Sequence, residues 1–193
     1  MLIKSEFDVA ESPDKVWEFF NNIPLVASCL PGADLSEQVG EDEYIGTVVI
    51  KAGPVKLEFA GEANIKERDD AGRRIVVEAS GADIKGRGQA ALLVNAVVTP
   101  SGSGSTVQVD QELHLSGAAA QYGRGLVQDL TAVLLDDFAA NMRLQLEALE
   151  TGVAVDAGAR SSTSGMTIAF RAVRMALGRV FRRFFLPYPS TTE

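Results

Sequence analysis

The chain has 193 residues, 46% of them hydrophobic, and a formal net charge of −8. That length buries one core and suits one domain with an appendage. The acidic balance excludes nucleic acid as a partner, since phosphate contacts need a basic face, and a single cysteine, Cys29, excludes an internal disulfide framework and fits a reducing, cytoplasmic setting.

Met1–Glu6 alternates apolar and polar residues and soon turns acidic, where a signal peptide has a basic start and an apolar run, so secretion is not expected. No segment reads as a spanning helix, which takes about 20 predominantly apolar residues. Ile3, Ser5, Phe7 and Val9 alternate with Lys4, Glu6 and Asp8, the two-residue period of a strand with one apolar face. Ser12-Pro13-Asp14 then predicts a helix start, with Ser12 as N-cap, Pro13 in the first turn and Lys15–Phe20 as the body. A second short helix is expected over Ile23–Cys29, stopped by Pro31-Gly32.

Five strands are predicted next, over about Glu43–Lys51, Val55–Glu67, Arg73–Ser80, Gly88–Thr99 and Ser105–Leu115. Their expected joints are Gly53-Pro54, Asp69–Gly72, Gly81 and Ser101–Gly104. In the last strand Val107, Val109, Leu113 and Leu115 oppose Gln108, Asp110, Glu112 and His114, so the sheet has one wet face. From about Ala118 the period becomes helical. Leu126, Leu130, Val133, Leu134, Phe138, Met142, Leu146 and Leu149 recur every three or four residues, the stripe of a long helix lying on the sheet. Thr151–Gly165, rich in Gly, Ala, Ser and Thr, reads as a flexible linker.

The expected architecture is α+β: a curved antiparallel sheet wrapped around one long helix over residues 1–150, with two short helices closing the space between them. That space is the candidate ligand site. Trp17, Phe20, Leu25, Val26, Leu30, Tyr44, Phe59, Leu126, Leu130, Val133, Leu134 and Phe138 are the candidate lining residues, with ordinary core packing as the alternative for each. Leu25, Val26, Leu30 and Pro31 would form a lid.

Catalytic chemistry is thin. His114 is the only histidine, and its phase places it on the wet face beside Asp110 and Glu112, without a nucleophile or an orienting partner. One Cys and one His do not make a structural zinc site. Cys29 reads as a small buried hydrophobe or, alternatively, a thiol at the pocket mouth. Gly123-Arg124-Gly125 lacks the lysine and spacing of a phosphate loop and is expected to permit close approach at the strand-to-helix junction. Asp136 and Asp137 are adjacent, point to different sides of a helix and are expected on a solvated face. No metal or covalent cofactor is expected.

Charge is segregated along the chain. Residues 157–193 carry +5, all from arginine, and residues 1–156 carry −13. At 100° per residue Met166, Phe170, Val173, Leu177, Val180, Phe181 and Phe184 fall within about 100° of arc, with Arg171, Arg174, Arg179, Arg182 and Arg183 on the remainder. A basic amphipathic helix over 166–186 of this kind lies on anionic lipid. Docking in a partner's groove, or on the acidic body itself, is the alternative. Each arginine near an anionic leaflet contributes on the order of 1 kcal/mol and each buried Phe or Leu roughly 1.5–3 kcal/mol, against about 1–2 kcal/mol per residue ordered. The net fits reversible binding.

Several runs together resemble the carbon monoxide dehydrogenase CoxG-like family of the START-like, helix-grip superfamily. They are Cys29–Ala33, Gly46-Thr47-Val48, Gly53–Lys56, Gly61, Gly86-Arg87-Gly88, Leu115-Ser116-Gly117, Ala120–Gly125 and Phe138–Asn141, in order and over about Met1–Glu150. The resemblance implies membrane attachment of a carbon monoxide dehydrogenase-type molybdenum hydroxylase, and the superfamily implies an apolar cavity for a lipophilic small molecule. A respiratory quinone such as menaquinone is the expected bound ligand, because a soluble dehydrogenase must hand electrons to an acceptor in the bilayer. The expected place is the inner face of the cell membrane, held peripherally. With a purely structural recruiter as the alternative, the expected role is that of a non-enzymatic carrier.

If the tail seeks lipid, full-length protein will pellet with anionic vesicles, a chain ending near Glu150 will stay in the supernatant, and high salt will weaken the effect. Equal pelleting of the shortened chain would show that the tail is not the membrane device.

Overall fold

The structure, a computed structural model, describes residues 1–52 and 55–151. The Gly53-Pro54 joint, the linker after Thr151, the basic helix at 166–186 and its membrane-facing set from Phe170 to Phe184 lie outside the described residues.

Strand β1 (Leu2–Val9) leads into helices α1 (Pro13–Asn21) and α2 (Ile23–Cys29), followed by β2 (Ala33–Gln38), β3 (Glu43–Ala52), β4 (Val55–Asp69), β5 (Arg74–Asp83), β6 (Gln89–Ser101) and β7 (Gly104–Leu115). A 3-10 turn over Gly117–Tyr122 then opens helix α3 (Gly123–Thr151). The strands form one antiparallel sheet in the order β1-β7-β6-β5-β4-β3-β2. Consecutive strands from β2 to β7 are sheet neighbours, whereas β1 pairs with β7 across the length of the domain. Ser12 is the N-cap of α1 and its carbonyl accepts from the Val16 N–H at 3.1 Å, but its side chain makes no capping bond.

Alternation sends one set of side chains inward. Val9, Tyr44, Ile65, Ile75, Ala96, Val98, Val107 and Val109 from the sheet meet Val16, Trp17, Phe19 and Phe20 of α1, Cys29 of α2, and Phe138, Met142 and Leu146 of α3 in one core cluster. Burying each large apolar side chain contributes roughly 1.5–3 kcal/mol. Phe138 sits at the centre, its ring centroid 6.2 Å from that of Phe7 and 6.5 Å from that of Phe20.

Polar ties fix the helices over this core. Trp17 Nε1 donates to Asp70 Oδ1 at 2.9 Å, and the Arg73 guanidinium donates to Asp14 Oδ1 at 2.6 Å, so the β4–β5 turn grips α1. Asn141 Nδ2 donates to the Cys29 carbonyl at 3.0 Å and Arg143 Nε to the Asp8 carbonyl at 3.1 Å, which hold α3 to α2 and β1. Lys15 bridges Glu11 and Glu150 at the far end of α3.

Several expectations need correction. Strand β2 has no counterpart among the predicted strands, because Ala33–Gln38 has no β-branched residue and its outer edge is polar; it forms by pairing to β3, with a bulge between Leu35 and Glu37. Gly81 is not a turn: β5 runs through it to Asp83, facing Gly61 on β4. A Cβ added at Gly61 would stand 1.9 Å from the Ser80 carbonyl oxygen, so the glycine serves close strand approach. Gly123 and Gly125 have nothing within 4 Å of a would-be Cβ, and the reason for Gly123 is instead its φ of +75°. Leu149, counted in the helix stripe, is 63% exposed, since the sheet ends before α3 does. Asp137 also departs from a fully solvated face, being half-buried, while Asp136 is exposed.

The β5–β6 turn is closed by a buried ion pair. Asp83 is 4% exposed and accepts from Arg87 Nε at 2.8 Å and from the guanidinium again at 2.6 Å, with further bonds from the N–H groups of Glu58, Lys85 and Arg87. Arg87 also donates to the Lys56 carbonyl at 2.8 Å, which clamps the turn to β4. The guanidinium, ahead of the backbone donors, holds the Asp83 carboxyl well below the usual carboxylate range against the opposing cost of burial.

A carboxylate with a depressed folded pKa stabilises the fold above its unfolded value of about 4, and that contribution is lost as pH falls through the folded value. Asp83→Asn is therefore expected to lower the melting temperature clearly at pH 7, with the gap to wild type closing below about pH 4; a gap constant across pH would contradict the clamp. Gly61→Ala is expected to destabilise by about 1–3 kcal/mol in urea melts, and by more than Gly81→Ala, whose Cβ would lie 3.1 Å from its nearest neighbour.

Candidate functional site

The core fills only one end of the grip. At the other end the inward positions of the sheet are shallow or incompletely covered. Gly46, Gly61, Gly81 and Ala90 lie in register across β3, β4, β5 and β6, a row with almost no side chain on the inner face. Around it Ile50, Leu57, Leu92, Leu113 and Leu115 face inward by strand parity, yet each is only half-buried. Val48, also inward by register with Phe59, is 38% exposed. Apolar side chains that face the helix and still meet solvent mark a cleft between the first half of α3 and the sheet.

Helix geometry decides which α3 residues look into it. Residues on the azimuth of Phe138 and Met142 in the first half are Val127, Thr131 and Leu134, all half-buried. Thr131 Oγ1 donates to the Val127 carbonyl at 2.9 Å, which satisfies the hydroxyl and leaves a methyl to the cleft. Spacing by four drifts about 40° per step, so the stripe read from sequence spirals around the helix. Val133, nine residues before Met142, lies on the far side of α3 from it; it is fully buried but stands outside the core cluster.

The other expected lining residues separate into three groups. Trp17, Phe20, Tyr44 and Phe138 are packed together in the core. Leu25 and Val26 of α2 are half-buried against that core, Leu30 at the end of α2 is 44% exposed, and Pro31 is half-buried. The Gly32 carbonyl accepts from the Val49 N–H at 2.8 Å, which fixes the α2–β2 link to β3 beside Val48 and makes this link the rim of the cleft. Phe59, Leu126 and Leu130 remain: Phe59 is buried opposite Asp83, and the two leucines are half-buried on α3. The Asp83–Arg87 clamp therefore closes one end of the cleft.

Sequence reading misses Val127, Thr131, the clamp and Gln111. Only the last leaves a plain signal, as the polar break in the apolar run Val107, Val109, Leu113, Leu115. Cys29 is fully buried in the core cluster. His114 is exposed on the outer face, its Nε2 3.1 Å from Glu112 Oε1.

Two further hollows open on the surface, and neither lies between α3 and the sheet. One of about 710 Å³ sits on the outer face among Ala60, Glu62, Ser80, Ala82, Ala91 and His114. The other, of about 640 Å³, lies at the rim where Asp8, Glu11, Ser103, Arg143 and Glu150 meet. No helix of the described residues is long and apolar enough to cross a membrane.

Solved structures share this architecture. A conserved protein from Geobacillus kaustophilus superposes with a TM-score of 0.69 at 16% identity, over 76% of this chain and 95% of its own. A protein from Thermus thermophilus gives 0.57 at 16% identity, over 77% and 99%. Norcoclaurine synthase from Thalictrum flavum, solved with dopamine and hydroxybenzaldehyde, gives 0.51 at 18% identity, over 75% and 87%. At such identities the likeness is one of fold. Among curated proteins none matches in sequence. The profile of the carbon monoxide dehydrogenase CoxG family, however, matches residues 5–147, and the chain belongs to that family.

Proposed function

We propose that this protein binds a lipophilic molecule in the cleft between α3 and the sheet and carries it between a membrane surface and a carbon monoxide dehydrogenase-type oxidoreductase. The observation that carries the reading is the set of inward apolar side chains left half-covered around a row of glycines. A fold built only to be stable would cover them, since each exposed CH₂ forgoes about 0.8 kcal/mol. The ligand class we favour is a respiratory quinone such as menaquinone, flat and apolar with polar oxygens at one end. Membership of the CoxG family supports the dehydrogenase as partner. The basic segment 166–186 supplies the address on anionic lipid at the inner face of the cell membrane, joined to the body through the segment after Thr151.

Binding rather than catalysis is the role the residues favour. His114 lies on the opposite face of the sheet from the cleft, and Asp83, saturated by Arg87 and three backbone donors, is held as an acceptor and not as a proton shuttle. A second reading, that of a structural recruiter without a ligand, draws on the solid packing of Trp17, Phe20, Tyr44 and Phe138.

Organic extraction of purified full-length protein followed by mass spectrometry separates the two. Close to one lipophilic quinone per chain is the expected result. Leu134→Trp, which fills the cleft from α3, is expected to reduce that yield severalfold while the protein remains folded by circular dichroism. A protein that extracts free of any lipophilic molecule supports the recruiter.

A further inference from the structure

Along the inner face of β7 the order is Ser105, Val107, Val109, Gln111, Leu113, Leu115, and Gln111 stands where the filled core gives way to the open cleft. Its neighbours across the sheet are Val94 on β6 and Ile3 on β1, both apolar. The side chain is half-buried and makes no hydrogen bond with any described residue. Other inward polar groups nearby are spent: Thr131 on the Val127 carbonyl, Asn141 on the Cys29 carbonyl, and Asp83 on Arg87. Gln111 thus brings two unspent N–H donors and a carbonyl acceptor to an otherwise apolar wall.

A carboxamide in this position is a poor choice for packing. Closing apolar matter over it without a partner forfeits its hydration, whereas a leucine or methionine of similar volume has nothing to lose. The geometry points to a recognition role: we propose that Gln111 is the polar anchor of the cleft, its amide N–H donating to a carbonyl or hydroxyl oxygen of the bound molecule while Leu92, Leu113 and Leu115 hold the hydrocarbon. The site then selects oxygen-bearing lipophilic molecules over hydrocarbons of equal size, because a ligand without an acceptor buries the amide unpaired. This rests on the cleft being the ligand site, and it adds which atom reads the ligand.

The test compares two small probes of the same ring size, menadione, which carries two carbonyls, and 2-methylnaphthalene, which carries none, by calorimetric titration of the full chain. Wild type is expected to bind menadione about tenfold more tightly, the worth of roughly one hydrogen bond. Gln111→Leu is expected to abolish that preference, weakening menadione about tenfold and leaving 2-methylnaphthalene unchanged or tighter, with a melting temperature no lower than wild type. Gln111→Met serves as a second apolar variant, and Gln111→Asn, a shorter amide, should restore part of the preference. A preference that survives both apolar substitutions overturns the assignment of Gln111 while the cleft stands as a ligand site. Failure of wild type to bind either probe overturns the cleft reading itself, and the anchor with it.

Discussion

A helix with its side chains is about 10–12 Å across, and adjacent strands lie about 4.8 Å apart, so one helix covers only two or three strands of a flat sheet. The seven-stranded sheet here, β1-β7-β6-β5-β4-β3-β2, has a single long helix to bury one apolar face. Curling around α3 reduces the mismatch, and α1 and α2 cover much of what is left by packing Val16, Trp17, Phe20 and Cys29 against the sheet at one end. Two short helices cannot cover both ends. The uncovered remainder, walled by Ile50, Leu57, Leu92, Leu113 and Leu115, is a consequence of that geometry and the physical origin of the candidate site.

Holding such a shape open takes rigidity at its margins. The glycine row across β3, β4 and β5 lets the strands approach closely, and the Asp83–Arg87 pair anchors the β5–β6 turn to β4 through the Lys56 carbonyl and the Glu58 N–H. At the opposite end the Asp70–Trp17 and Arg73–Asp14 bonds tie α1 to the β4–β5 turn. The two hollows outside the grip have no comparable frame of inward apolar side chains, which is why their size does not make them the better site.

Fold and family stand on firmer ground than ligand and partner. A cleft of apolar walls with one amide, membership of a carbon monoxide dehydrogenase family, and a cationic amphipathic segment on an acidic body form a consistent set for a lipophilic carrier. Each of the three carries a different part of it: the walls the ligand class, the family the partner, the charge segregation the membrane.

Most of the architecture is legible in one dimension because it rests on local periodicity. Two-residue alternation marks β3 to β7 nearly to their ends, and Ser12-Pro13 and Pro31-Gly32 bracket α1 and α2. Strand β2 escapes because its residues have no strand preference of their own and pair only when β3 is beside them. Site residues are harder. The α3 stripe reads as one face, but steps of four residues rotate about 40°, so Val133 turns away while Val127 and Thr131, outside the expected set, turn in. Trp17, Phe20, Tyr44 and Phe138 are recognisable as inward but not as mutually packed, since that depends on which strands they meet.

Sequence by itself determined the element order, the inward and outward faces of each strand, the place of His114 on the wet side and the separation of charge between body and tail, all of which follow from spacing along the chain. Only the tertiary structure decided which end of the grip is filled, that Asp83 and Arg87 close the other, and that Gln111 stands unpaired at the boundary. Those outcomes depend on contacts between residues tens of positions apart, where register and curvature, which no local pattern encodes, fix who meets whom.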